Sequence, residues 1–148
     1  MNNYPFLVKQ IEMLLDKSDK EISKLANASA LLFAELNDVS WVGFYFIEKD
    51  YLYLGPFQGK VACTNIPINK GVCGKCAREK KTILVKNVHE FEGHIACDSA
   101  SNSEIVIPLF NNNELYAVLD IDSTSLNRFT LEDQVGLENI VKAIERSL

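Results

Sequence analysis

The stretch EIVIPLFNNNELYAVLDID, residues 104–122, decides the fold of this 148-residue chain. Its two halves, Glu104–Phe110 and Glu114–Asp122, are rich in apolar and β-branched residues, which is typical of strands. Between them, Asn111-Asn112-Asn113 supplies a residue type that tolerates the backbone conformations of tight turns. The stretch therefore predicts a β-hairpin, and with it an antiparallel sheet.

Four further strands are predicted on the N-terminal side of the hairpin, where the apolar period changes from 3.6 to two. They span Ser40–Glu48, Tyr51–Leu54, Val61–Pro67 and Thr82–Lys86, with a turn between the first two. Gly55-Pro56 is expected to end the second strand. Residues 87–103 form a long polar stretch without a period, and loops of such length are usually functional.

Helical periodicity is found at both ends of the chain. Residues 6–16 predict a first helix, and Ser18-Asp19-Lys20-Glu21 has the form of a capping box that opens a second helix running to about Leu36. Thr130-Leu131-Glu132-Asp133 predicts the start of a C-terminal helix, and Gly71–Lys80 a short internal one.

Together these elements predict a single α+β domain over residues 1–148. We expect a six-stranded, mostly antiparallel sheet with the N- and C-terminal helices packed on one face. The other face is expected to carry loops 55–60 and 87–103.

The composition excludes several classes of protein. Hydrophobic residues make up 47% and charged residues 24%, values typical of a globular domain. The net charge is −5 and the sequence has no basic stripe, which argues against binding to nucleic acid or to an anionic membrane. The first residues lack a secretory-signal pattern, and no apolar run approaches the roughly 18 residues that span a bilayer. We therefore expect a cytoplasmic protein whose thiols are kept reduced.

All four cysteines, Cys63, Cys73, Cys76 and Cys97, fall in one central part of the chain. A chain of about 150 residues buries enough surface to fold without disulfides. Inert core cysteines would also be expected in the terminal helices, so the clustering favours a chemical role.

The motif Cys73-Gly74-Lys75-Cys76 allows two interpretations. A four-cysteine zinc site usually needs two such pairs, whereas Cys63 and Cys97 stand alone. A thioredoxin-like redox motif needs a βαβ context, which the antiparallel pattern does not supply. Neither interpretation is favoured, and we expect no metal.

Cys97 has the sequence surroundings of a reactive thiol. It lies in the run from His94 to Glu104, which is dominated by small and polar residues and has no core pattern. Nucleophilic cysteines favour polar, partly exposed pockets, whereas inert ones usually lie among apolar residues. Loop amides or His94 would favour the thiolate, although an exposed loop histidine is the more common case.

Three carboxylates are predicted to converge near this cysteine. Glu104 opens one strand of the hairpin, while Asp120 and Asp122 end the other and, being two apart, face one side of the sheet. A solvent-facing edge would explain them. A pocket that binds a cation or donates a proton would also explain them. Neighbouring like charges raise the pKa of a carboxyl group, which can then act as an acid near neutral pH. Trp41, on the first strand, would be an apolar wall or part of the core.

Five motifs then follow one another in a fixed order: Gly55-Pro56-Phe57-Gln58-Gly59, Ala62-Cys63, Gly71-Val72-Cys73-Gly74, Val88-His89 continuing to Gly93–Asp98, and Ser101–Val106. These motifs, with the spacings of Cys63, Cys73 and Cys97, resemble the free methionine-(R)-sulfoxide reductases, single-domain members of the GAF superfamily. The resemblance runs from the Trp41 strand to Asp122, and the terminal helices agree in placement. Several motifs at fixed spacing are more specific than any single one.

The resemblance implies a reaction, the reduction of free L-methionine-(R)-sulfoxide to methionine, which repairs an effect of oxidative stress. Cys97 would be the attacking thiolate and would become a sulfenic acid. Cys63 matches the position of the resolving thiol, with Cys73 as the alternative. A thioredoxin-type dithiol would reduce the resulting disulfide. No cofactor is implied.

The resemblance also implies roles for the other side chains. Glu104 and Asp122 would polarise the sulfoxide oxygen, and Asp120 would assist them or bind the substrate ammonium. Trp41 would hold the methyl group, and Cys76 has no required role. A homodimer is expected from the superfamily. The alternative function is a non-catalytic GAF domain that senses a small ligand or the redox state.

Overall fold

The computed structural model describes residues 3–95, 97 and 100–148. Its helices are α1 (Tyr4–Leu14), α2 (Glu21–Glu35), α3 (Gly71–Glu79) and α4 (Leu131–Ser147). Its strands are β1 (Trp41–Glu48), β2 (Tyr51–Gly59), β3 (Asn65–Pro67), β4 (Ile83–Val85), β5 (Ser103–Asn111) and β6 (Glu114–Ser123). Within the described ranges, no helix is long and apolar enough to cross a membrane.

The six strands form one antiparallel sheet in the order β3-β2-β1-β6-β5-β4. The predicted hairpin pairs β5 with β6 from Ser103 opposite Ser123 to Asn111 opposite Glu114. Its turn residues Asn112 and Asn113 have positive φ values of 53° and 65°, which asparagine adopts more readily than most residues. The α+β prediction and the six-stranded sheet are confirmed.

The two faces of the sheet are covered by different elements. On the terminal-helix face, α4 packs against β5, α2 packs against β1 and β2, and α1 packs against α4. Their apolar side chains share one core with the odd-numbered residues of β5 and β6, such as Ile105 and Leu119. On the α3 face, α3 packs against Tyr45, Val106 and Val118. The division follows from the alternation of side chains along a strand. It also determines which functional residues can meet, because the sheet separates the side chains on one face from those on the other face.

Two predicted boundaries near α2 and β3 are wrong. The amide and hydroxyl of Ser18 both donate to Asp16 Oδ1, each over 2.8 Å, so they do not cap α2. That helix begins after Lys20 without a side-chain cap. The third strand is only three residues long, Asn65–Pro67, which leaves Cys63 in the connection between β2 and β3.

The predicted end of β2 at Gly55-Pro56 is also wrong. Gly43 pairs with Phe57 and Tyr45 pairs with Leu54, so two residues of β2 oppose the single residue between them on β1. This is a β-bulge, which accommodates a proline inside a strand and lets β2 continue to Gly59.

Candidate active site

The hairpin brings three carboxylates together on the α3 face. Glu104 on β5 lies directly opposite Asp122 on β6, and Asp120 lies two residues before Asp122. Glu104 and Asp120 are each only 6% exposed. Since charged groups are rarely buried without a compensating charge, this cluster is unusual for a fold built for stability alone.

Helix α3 places Cys73 against these carboxylates. The helix begins at Gly71, whose φ of +70° is a conformation that favours glycine, and the Gly71 amide donates to the Gly93 carbonyl over 3.1 Å. Cys73, two residues later, is buried and its thiol donates a hydrogen bond to Asp120. Cys76, one turn further, is completely buried.

A cavity of about 40 Å³ lies between α3, the sheet and the residues before β5. Five of the sequence-predicted site residues line it, namely Cys73, Cys97, Glu104, Asp120 and Asp122. Tyr45, Ile66, Gly71, Val72, His94, Ile95 and Ser101 complete the lining. The volume exceeds the roughly 10–15 Å³ that a water molecule requires, so the cavity admits a small group.

Cys97 is joined to Cys63 by a disulfide, with their Cα atoms 5.4 Å apart. Tyr45 fixes the Cys63 side of this bond because its hydroxyl donates to the Cys63 carbonyl over 2.9 Å. Cys73 and Cys76 are free thiols. Ala96, Asp98 and Ser99, part of the run that pointed to Cys97, lie outside the described residues.

The carboxyl groups of Glu104 and Asp120 differ in the interactions that set their pKa values. Burial, together with the charges of Asp120 and Asp122, raises the pKa of Glu104 well above its ordinary value. Burial also raises the pKa of Asp120, while hydrogen bonds from Glu104 and Cys73 lower it again in part. The raised pKa favours the protonated form of Glu104, whose carboxyl group then donates a hydrogen bond to Asp120.

The pKa values of Cys73 and His94, which also line the cavity, are shifted toward the neutral form of each side chain. Burial, followed by the charges of Asp120 and Glu104, raises the pKa of the Cys73 thiol. Burial lowers the pKa of His94, whose Nε2 lies 3.9 Å from Glu104 Oε1. Of these groups, the Glu104 carboxyl is the one whose raised pKa suits it to donate a proton near neutral pH.

Two polar oxygen atoms in the cavity have no hydrogen-bond partner among the described residues. They are Asp120 Oδ1 and the Ser101 hydroxyl, and both residues are at least nine-tenths buried. Leaving a buried oxygen unpaired costs about 1–3 kcal/mol, so these atoms mark positions where a bound polar group would form hydrogen bonds.

Trp41 does not belong to the described lining of the cavity. Its indole stacks on Phe57 with ring centroids 5.2 Å apart and on Tyr45 at 6.0 Å. Its Nε1 donates to the Lys60 carbonyl over 3.0 Å, and the residue is 2% exposed. Gly43 allows this arrangement, because a Cβ atom there would lie 2.5 Å from the indole ring.

Among the polar residues of the described lining, sequence reasoning gave no role to Tyr45 and Ser101. Tyr45 was detectable, because it lies four residues after Trp41 and so on the same face of β1. Ser101 belongs to the polar run that drew attention to Cys97, but nothing distinguishes it there from Ser99 or Ser103.

The chain is similar in sequence to one protein family and to proteins of known name. The profile of the GAF domain matches residues 20–148. The free methionine-R-sulfoxide reductase of Escherichia coli is 48% identical over 98% of this chain and 88% of its own length. The protein of the same name from Saccharomyces cerevisiae is 40% identical over 95% of this chain and 83% of its own length.

Two solved structures are similar over nearly the whole chain. The fRMsr of Staphylococcus aureus in its reduced form is 49% identical, with a TM-score of 0.96, covering all of this chain and 96% of that one. The free methionine-R-sulfoxide reductase of Neisseria meningitidis, solved in complex with its substrate, is 39% identical. Its TM-score is 0.90, and the match covers 97% of this chain and 87% of that one.

Proposed function

Because the chain belongs to the free methionine-(R)-sulfoxide reductase family of GAF domains, we propose that its cavity reduces free L-methionine-(R)-sulfoxide to methionine. The observation that carries the proposal is the disulfide between Cys63 and Cys97 at a cavity that also holds Glu104, a buried carboxyl group with a raised pKa. Sulfoxide reduction requires a thiol that accepts oxygen, a second thiol and a proton donor.

The first step transfers oxygen from sulfur to sulfur. The Cys97 thiolate attacks the sulfoxide sulfur, Glu104 supplies a proton to the departing oxygen, and methionine leaves while Cys97 becomes a sulfenic acid. The substrate sulfur gains two electrons and the Cys97 sulfur loses two. A carboxyl group with a raised pKa is suited to this task because it keeps its proton to a higher pH than an exposed one.

The second step forms the disulfide. The Cys63 thiol attacks the sulfenic sulfur of Cys97 and water leaves, giving the bond in the structure. Cys73 is the alternative resolving thiol because it lines the same cavity, but its raised pKa makes it the poorer nucleophile.

The remaining residues bind and orient the substrate. Asp122, opposite Glu104 on the paired strand, helps to fix the proton donor, and Asp120 receives the substrate ammonium or assists Glu104. Trp41 supports the wall that Tyr45 presents to the cavity, so its contribution to holding the methyl group is through Tyr45. A cavity whose carboxyl groups bind the free ammonium of the amino acid rejects a peptide-bound residue, which lacks that group.

A thioredoxin-type dithiol would then return the disulfide to two thiols, with no other cofactor. We further propose that residues 1–148 act as one domain, that the protein works in the cytoplasm and that it forms a homodimer. The reducing cytoplasm would supply the dithiol that the catalytic cycle requires.

Turnover of free methionine-(R)-sulfoxide by the wild type and four single Cys→Ser variants tests the proposal. Cys97→Ser should be inactive, Cys63→Ser should release one methionine and then stop, and Cys76→Ser should turn over normally. The S epimer and peptide-bound sulfoxide should be poor substrates. Turnover by Cys97→Ser at the wild-type rate would exclude this mechanism, and binding of a small ligand without turnover would indicate a sensor.

A further inference from the structure

We propose that Cys73, Glu104 and Asp120 form a binding site for one Zn²⁺ ion, which blocks the cavity when it is occupied. The binding is independent of the reaction proposed above, whereas the inhibition rests on that reaction.

The three side chains offer donor atoms at the right separation. The Cys73 sulfur and one carboxylate oxygen each of Glu104 and Asp120 lie within 4.8 Å of one another, and all three residues are buried. Zinc bonds of about 2.3 Å to sulfur and about 2.0–2.2 Å to oxygen place the ligands of one ion within about 4 Å of each other. Zinc binding would therefore draw the donor atoms from α3, β5 and β6 slightly closer together.

The unpaired oxygens of the cavity point independently to a ligand. Asp120 Oδ1 and the Ser101 hydroxyl have no hydrogen-bond partner among the described residues, and both line the cavity. An ion bound by Asp120 would satisfy the first atom. A water molecule on the ion would satisfy the second, since the hydroxyl can donate to it or accept from it.

The donor set favours zinc over the common hard cations. Zn²⁺ binds thiolate and carboxylate together, whereas Mg²⁺ and Ca²⁺ require six or more oxygen ligands. The ion displaces the protons of the Cys73 thiol and the Glu104 carboxyl group, which pass to solvent. The described lining of the cavity includes three carboxyl groups and no lysine or arginine, so no protein cation there competes with the ion.

The disulfide form offers a clean test, because Cys63 and Cys97 are then bonded to each other and only Cys73 and Cys76 remain as thiols. Cys76 is the matched control. It is buried in the same helix but belongs neither to the donor set nor to the described lining of the cavity.

The full chain in its disulfide form is freed of metal with a chelator and titrated with Zn²⁺ in competition with a chromophoric chelator. One ion should bind per chain. Cys73→Ala and Asp120→Asn should each weaken it by at least about 100-fold, since changes in outer-shell partners alone cost roughly 10- to 100-fold. Cys76→Ala should bind as the wild type does, and thermal melting checks that each variant is folded.

Co²⁺ as a spectroscopic probe identifies the sulfur ligand. Wild type and Cys76→Ala should show a sulfur-to-metal charge-transfer band that Cys73→Ala lacks. Mg²⁺ at the same concentration should not displace zinc. Equal binding by Cys73→Ala and wild type, or equal loss in Cys73→Ala and Cys76→Ala, would overturn the site, as would displacement by Mg²⁺.

Inhibition is measured in a single turnover of the reduced, desalted protein, which needs no thiol reductant that would itself bind zinc. Stoichiometric Zn²⁺ should suppress methionine release, and the chelator should restore it. Methionine release at full rate with zinc bound would overturn the inhibition. If metal-free protein released no methionine, the proposed function would fail, whereas the binding titration would still decide the zinc site.

Discussion

Two buried aspartates of this protein have opposite surroundings. Asp133, 8% exposed on the terminal-helix face, accepts hydrogen bonds from the Tyr4 hydroxyl at 2.5 Å, the Thr130 amide at 2.8 Å and Arg128 at 3.1 Å. Asp120, 6% exposed on the α3 face, accepts bonds from Glu104 and Cys73 and leaves one oxygen unpaired. An arginine balances the charge of the first, while other carboxyl groups surround the second.

The pKa values of Asp133 and Asp120 are shifted in opposite directions. Burial acts to raise the pKa of Asp133, but the bonds from Tyr4 and Thr130 and the charge of Arg128 outweigh it and lower the pKa. For Asp120, burial prevails and the pKa rises. The first carboxylate is built into the fold as a helix cap. The second is held at a cost in stability, which is typical of residues kept for chemistry.

The largest expected effect is the loss of activity in Asp120→Asn. Removing this charge should lower kcat/KM by at least about 100-fold, because it disturbs the group that accepts the Glu104 hydrogen bond. The free energy of unfolding should not fall, since one member of a like-charge cluster has been neutralised. Steady-state kinetics and urea unfolding measure the two quantities. A destabilised but fully active variant would remove the contrast between the two aspartates.

The reverse pattern is expected for Asp133→Asn. The variant loses the charged acceptor of the α4 capping box and should unfold with about 2 kcal/mol less free energy than wild type. Its activity should be retained, because Asp133 and the cavity lie on opposite faces of the sheet. Urea unfolding measures the loss of stability, and the same kinetic assay measures the activity. A folded but inactive variant would show that the two faces of the sheet are coupled.

The pH dependence of stability should expose the Asp133 cap. Because its pKa is lower in the folded protein, its stabilisation is complete above the unfolded pKa of about 3.9 and is lost as pH falls through the folded pKa. The difference in unfolding free energy between wild type and Asp133→Asn should therefore shrink below about pH 4. A difference that grew on acidification would have the wrong sign for this assignment.

The smallest expected effect is that of Tyr4→Phe, which removes only the hydroxyl that donates to Asp133. The ring remains packed over Gly136, so the loss should be about 1 kcal/mol in urea unfolding. Combined with Asp133→Asn, it should cost less than the sum of the single effects, because both remove the same bond. Full additivity would indicate that Tyr4 stabilises α1 in another way.

The sequence was sufficient for features set by local pattern. Period-two alternation predicted the hairpin and placed Asp120 and Asp122 on one face, and Thr130 with Asp133 predicted the start of α4. These features depend on residues close in the chain, so their physical signals are present in a short window.

Features that depend on distant partners could not be read in this way. Gly55-Pro56 continues β2 because the two residues form a bulge opposite a single residue of β1, and this pairing is not visible in the sequence of β2. Whether Cys63 or Cys73 joins Cys97 depends on how the β2–β3 connection meets the segment before β5. Likewise, the sequence left open whether Trp41 is an apolar wall or part of the core, because its stacking on Tyr45 and on Phe57 of a neighbouring strand depends on tertiary packing.

The most direct test of the central claim is a single turnover followed by peptide mass spectrometry. Fully reduced wild-type protein is mixed with one equivalent of free methionine-(R)-sulfoxide, its remaining thiols are alkylated, and its peptides are mapped. We predict one methionine released per chain, a disulfide linking Cys63 to Cys97, and alkylated Cys73 and Cys76. Four alkylated cysteines, or a disulfide that excludes Cys97, would contradict the claim that Cys97 reacts with the sulfoxide and Cys63 resolves it.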